Sequence, residues 1–125
     1  MSTIIICGAG ALIAAEDGAE RMWALHKRAL ARGVQPVIPA TVLAEVWRSG
    51  RGQHRLSQFI QSCDVECLSE ESARAAGVLL SVAAHGVVDA SVVECALRRA
   101  SPCVTGNRRH LVELAGARRI NIIDV

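Results

Sequence analysis

Two acids and two neutral polar residues stand out by their place among apolar runs. Glu45 lies in Pro39-Ala40-Thr41-Val42-Leu43-Ala44-Glu45-Val46, and Asp89 in Val87-Val88-Asp89-Ala90. Thr105 and Asn107 lie in Val104-Thr105-Gly106-Asn107. Carboxylates so placed serve as surface charge, as helix caps or as ligands for a cation. Glu45 falls off the apolar stripe of its segment, beside Thr41 and Arg48, and so reads equally as an ordinary exposed acid. Asp89 precedes an apolar helix and reads equally as its N-cap; a capping carboxylate can still turn its second oxygen to a metal, so the two roles can coexist. A fifth position carries no chemical group. The run Thr3-Ile4-Ile5-Ile6-Cys7 ends in the turn Gly8-Ala9-Gly10 and opens into Ala11-Leu12-Ile13-Ala14-Ala15-Glu16.

Those positions acquire meaning from the elements around them. β-branched residues suit a buried strand, and glycines let the chain turn where a side chain would clash. Asp17 and Glu20 have capping-box spacing. Met22, Trp23, His26, Ala29 and Leu30 then recur at helical spacing up to Gly33. Gln35 to Pro39 reads as a short strand, Thr41 to Arg48 as a helix, and Ser49-Gly50-Arg51-Gly52 as a loop. Leu56, Phe59, Ile60 and Cys63 mark another helix. Val65 to Leu68 reads as a third strand. Ser69 is an N-cap for a helix running to about Ala84 and closing at Gly86, with Glu70 and Glu71 in its first turn. Asp89 begins a helix that continues to Ala100, and Pro102 breaks it. Cys103 to Thr105 is a fourth strand, His110 to Ala115 a short helix, and Ile120 to Val125 the last strand. Strands alternating with helices imply a mostly parallel sheet of about five strands with helices on both faces. In such a sheet Gly8, Glu45, Asp89, Thr105 and Asn107 can gather along one edge, where strands end and helices begin.

Composition narrows the classes. A chain of 125 residues is read as one domain, residues 1–125, with one core. Apolar content of 51% excludes disorder, and with aromatics at 2% the core must be aliphatic. Net charge is +2 but uneven: Met1 to Glu94 holds 8 basic and 10 acidic residues, and Cys95 onward holds 6 arginines and 2 acids. The arginines come as Arg98-Arg99, Arg108-Arg109 and Arg118-Arg119. A basic half suits an anionic partner such as nucleic acid, and equally a solvated face spread over three elements. The five cysteines have no CxxC spacing and read as small buried hydrophobes in a reducing compartment. His26, His54, His85 and His110 are too scattered to predict a metal set. No signal peptide or membrane span is visible, which predicts a cytoplasmic location. Gly8-Ala9-Gly10 after a strand also begins a G-x-G-x-x-G pattern. Its sixth position is Ile13, however, and no acid ends the second strand, which argues against a dinucleotide site.

The order of these segments resembles the PIN-domain ribonucleases, and most closely the VapC-type toxins of bacterial toxin–antitoxin pairs. The resemblance covers nearly the whole chain. It is carried by Gly8-Ala9-Gly10-Ala11-Leu12-Ile13-Ala14, by Pro39 to Val46, by Val88-Asp89-Ala90, and more weakly by Val104-Thr105-Gly106-Asn107-Arg108-Arg109-His110-Leu111. It implies a PIN-like α/β domain and a Mg²⁺- or Mn²⁺-dependent endoribonuclease, with acidic ligands that let the metal activate water and offset phosphate charge. Glu45 and Asp89 match the family's helix glutamate and later aspartate, as catalytic residues and metal ligands. Thr105 and Asn107 match its supporting polar positions. Arg48, Arg108 and Arg109 are candidate RNA phosphate contacts. A protein antitoxin and a homodimer are the implied partners.

The chain also departs from that pattern. The first motif in the family usually begins with aspartate where this chain has Gly8, and acids are common at the positions of Asn107 and His110. Two carboxylates are few for Mg²⁺, so weak or absent nuclease activity is the expectation. The alternative is a non-catalytic PIN-like module that binds an antitoxin or RNA.

Overall fold

The computed structural model describes residues 3–125. In chain order the elements are β1 (Ile4–Cys7), α1 (Ala9–Glu16), α2 (Glu20–Ala31), β2 (Gln35–Pro39), α3 (Ala40–Val46), α4 (His54–Gln61), β3 (Asp64–Glu66), α5 (Glu70–Leu80), α6 (Val87–Arg99), β4 (Cys103–Thr105), α7 (Arg108–Ala115) and β5 (Ile122–Asp124). The strands form one parallel sheet in the order β3-β2-β1-β4-β5. Consecutive strand residues point to opposite faces. Ile5, Ile6 and Cys7 are nonetheless all buried, so helices cover both faces of β1.

The registers explain why prolines are tolerated inside a five-stranded sheet. Gln35 N donates to Thr3 O, so Pro36 turns its missing donor toward β3, whose pairing starts only at Val37↔Asp64. Pro39 closes the strand, level with the point where β1 has already ended, and leads directly into α3. The core is aliphatic, as the composition predicts. Ile6, Leu12, Ile38, Leu56, Leu111 and Leu114 are among its largest fully buried side chains, with Phe59 the aromatic one. Trp23 lies half-buried, its indole N–H donating to Ala15 O and its ring edge-on to Phe59; Trp47 lies 38% exposed.

Several local expectations change. Asp17 and Glu20 form no capping box: Asp17 closes α1, and α2 begins at Glu20 behind Ala19, which provides no side-chain cap. α5 stops at Leu80, short of Ala84, and Gly86 instead caps the next helix. Asp89 is therefore the third residue of α6 and not its N-cap. Ser69 does cap α5, accepting from Ser72 N. The cysteines are free; Cys7, Cys95 and Cys103 are buried, Cys63 is half-buried, and Cys67, against expectation, is exposed. Burial pushes the Cys63, Cys95 and Cys103 thiols up to about 12, which leaves them protonated and inert; at Cys95 the nearby Glu66 adds to the rise.

Candidate functional site

The strand order puts the topological switch point between β1 and β4. From β1 the chain adds β2 and β3 on one side, then returns to lay β4 and β5 on the other. At such a switch point the loops after adjacent strands diverge and leave a cleft beyond their carboxyl ends. Here those loops are the Gly8 turn and Gly106-Asn107. They are held close. Gly8 N donates to Val104 O at 2.8 Å. A Cβ at Gly10 would lie 2.5 Å from Gly106 N, so glycine there is a demand of backbone approach.

Gly8 is different. Its φ of −83° and ψ of 178° are extended values that any residue adopts. A Cβ at this position would meet Val104 O at 3.1 Å and Thr105 Cβ and Oγ1 at 3.7 Å. The backbone angles thus suit a side chain once Val104 O gives by a few tenths of an ångström, and its Cβ would lie beside Thr105. Thr105 is buried, and its Oγ1 accepts from Asn107 N at 2.9 Å. This bond fixes the turn from which α7 departs.

Asp89 joins the same neighbourhood through α7. His110, in the first turn of that helix, contacts Asp89 Oδ2 through Nδ1 at 3.0 Å. An ionised carboxylate only accepts, so the imidazole donates through Nδ1–H. The first-turn location of Asp89 also suits a negative charge near the positive end of the helix. The His110 ring stacks on His85 with centroids 4.4 Å apart and planes at 23°. His85 Nε2 in turn lies 2.6 Å from Glu113 Oε2. Two of the four histidines therefore meet, a contact of which the sequence carries no sign.

Glu45 is positioned by a different contact. α3 packs on α6 through Thr41 Oγ1 and Ser91 Oγ, 2.5 Å apart. Ser91 donates onward to Val88 O at 2.7 Å, so Thr41 is the donor of the shared bond. Glu45 lies one turn beyond Thr41, exposed, with no protein partner for its carboxylate among the described residues. Glu45 and Asp89 thus sit on touching helices. Even so, no group of three or more His, Cys, Asp or Glu side chains among the described residues is placed to hold a metal ion.

The basic residues are mostly committed elsewhere. Arg108 forks onto both oxygens of Asp124 at 2.8–3.0 Å, and Arg109 reaches Glu113 at 3.0 Å from a side chain 89% exposed. Arg48 donates to Trp47 O at 2.8 Å. Asn107, Arg108, Arg109, His110, Val112 and Glu113 line a shallow groove along α7. Arg98 and Arg99, on the far end of α6, converge on Glu66 at 2.5 and 2.6 Å, and Arg98 also takes Glu94 at 2.9 Å. Sequence reasoning missed Glu66, Glu94, Glu113 and Asp124 as the partners of these arginines. Only the two i,i+4 pairs, Glu94 with Arg98 and Arg109 with Glu113, left a signal in the spacing.

No helix among the described residues is long and apolar enough to cross a membrane. No family model and no curated protein sequence matches the chain. Solved structures match it in three dimensions. VapBC2 from Rickettsia felis, solved bound to a DNA fragment from their promoter, matches at 16% identity over 98% of each chain, with a TM-score of 0.74. A toxin–antitoxin complex from Klebsiella pneumoniae matches at 17% identity, covering 86% of this chain and 90% of that one, with a TM-score of 0.68. Identities this low establish architecture: the chain has the PIN-like α/β fold that these toxin–antitoxin structures contain.

Proposed function

We propose that this chain is a PIN-like module of the toxin–antitoxin kind whose metal-dependent endoribonuclease centre is incomplete. The observation that carries this reading is the state of position 8. Its backbone angles are those of an ordinary residue and a Cβ there would lie beside Val104 O and Thr105 at the switch point, yet it bears no carboxylate. Glu45 and Asp89 are the remaining metal-ligand and catalytic candidates, with Thr105 and Asn107 as supporting polar groups. Arg48, Arg108 and Arg109 are candidate contacts for RNA phosphates. The described residues offer no group of three His, Cys, Asp or Glu side chains placed to hold a metal ion, which supports weak holding of Mg²⁺ or Mn²⁺ by the two carboxylates. A second reading, a non-catalytic module that binds an antitoxin or RNA, draws support from the same deficiency. A protein antitoxin as partner is supported by the two structural relatives, both solved as such complexes. Pairing of two copies is part of the proposal.

Substitution of Gly8→Asp tests it. The new side chain needs only a small adjustment at Val104 O, 3.1 Å from its Cβ. Cleavage of a mixed-sequence RNA in Mg²⁺ or Mn²⁺ should rise at least tenfold, roughly the minimum effect of completing a metal site. Robust and equal cleavage by parent and variant contradicts the incomplete centre. Cleavage by neither, with antitoxin binding intact, leaves the binding module.

A further inference from the structure

Reading Glu45, Asp89 and position 8 as a degraded metal centre leaves His110 unexplained. The structure gives it two direct restraints, one of them buttressed. Its Nδ1 meets Asp89 Oδ2 at 3.0 Å. Its ring lies against His85, centroids 4.4 Å apart. His85 is in turn held by Glu113 at 2.6 Å, and Glu113 by Arg109 at 3.0 Å. These groups come from α6, α7 and the loop after α5, so the imidazole cannot swing aside without breaking its edge contact with Asp89 and its face contact with His85. A carboxylate oxygen that accepts such a bond has its rotation fixed and part of its charge satisfied, and a cation must compete for it.

We propose that His110 latches Asp89, so that the centre is disabled at two places, position 8 and position 110. His110 is a positioning residue here, acting through the orientation and charge of Asp89. The proposal rests on the degraded-centre reading, and it has a consequence that reading lacks: restoring the carboxylate at position 8 is not sufficient for full metal affinity.

Mn²⁺ binding, measured by calorimetry and by loss of the free-ion paramagnetic resonance signal, tests this on Gly8→Asp alone and combined with His110→Ala or His110→Asn. Asparagine places an amide N–H close to the position of Nδ1, so it keeps the hydrogen bond and loses only the stacking. We expect Gly8→Asp/His110→Ala to bind Mn²⁺ about tenfold more tightly than Gly8→Asp, a change equivalent to losing one competing charge-assisted hydrogen bond. The asparagine variant should stay near Gly8→Asp. Equal affinity of Gly8→Asp and Gly8→Asp/His110→Ala overturns the latch and leaves the degraded centre standing. No Mn²⁺ binding by any variant overturns both. Should the alanine variant fail to fold, long-range ¹H–¹⁵N spectra of the parent decide: the latch requires the His110 proton on Nδ1, and a proton on Nε2 alone overturns it.

Discussion

Asp89 and Glu66 are two carboxylates of nearly the same exposure, 22% and 21% of their side chains, in opposite chemical circumstances. Glu66, at the end of the edge strand β3, receives Arg98, Arg99 and the Cys95 thiol. Burial alone raises its pKa, but the hydrogen bonds from Arg98, Arg99 and Cys95 outweigh burial and hold it at about 2. Asp89 has one imidazole. Exposure therefore does not separate a structural carboxylate from one open to a ligand. The charge and number of its partners do. Glu66 is saturated by guanidinium groups that cannot lose their protons, whereas Asp89 retains acceptor capacity and a partner that a single substitution removes.

The largest effect should come from breaking the Glu66 cluster. Glu66→Ala strands Arg98 and Arg99 in a partly buried setting and should lower unfolding free energy by about 2–3 kcal/mol, read by urea denaturation. The same cluster sets an acid limb. The folded-state pKa of about 2 lies below the ordinary 4.5, so the stabilisation is fully present above pH 4.5 and is lost as pH falls toward 2. Glu66→Gln should flatten that limb. An acid transition identical in parent and variant would show that the two carboxylates differ less than their partners imply.

Asp89→Asn sharpens the contrast from the other side. Asp89 has a single imidazole as its partner, so the change should cost within about 1 kcal/mol of stability. In the Gly8→Asp background it should also remove Mn²⁺ binding. A loss of stability matching that of Glu66→Ala would recast Asp89 as structural. The smallest effect concerns the arginines. Arg108 is occupied by Asp124, which hydrogen bonding to Arg108 holds below the usual carboxylate range. Arg109 projects into solvent from its contact with Glu113. If both touch RNA, the double alanine variant should flatten the salt dependence of binding by roughly 0.7 in log–log slope per lost contact, with Arg109 contributing more. An unchanged slope takes both out of the RNA surface.

Much of the frame could be read from residue order. The runs Ile4 to Cys7 and Cys103 to Thr105, the Gln35 to Pro39 strand and the Ser69 cap fall where spacing and side-chain chemistry put them. Helix ends were less legible. Asp17 looked like the start of a helix but closes α1, and the helix read to about Ala84 stops at Leu80, with Gly86 capping the next one. The basic half looked like a nucleic-acid footprint, but folding pairs four of its six arginines, Arg98, Arg99, Arg108 and Arg109, with carboxylates.

The sequence by itself determined the alternation of elements and the aliphatic core. Each follows from local side-chain character and short-range spacing. Tertiary structure alone decided that His110 meets Asp89 and His85, that Gly10 must remain without a Cβ against Gly106, and that Glu66 gathers two arginines from the far end of α6. Those contacts join residues tens of positions apart. They depend on how helices cross the sheet, and hydrophobic periodicity fixes which face a helix buries but not which polar groups meet at its ends.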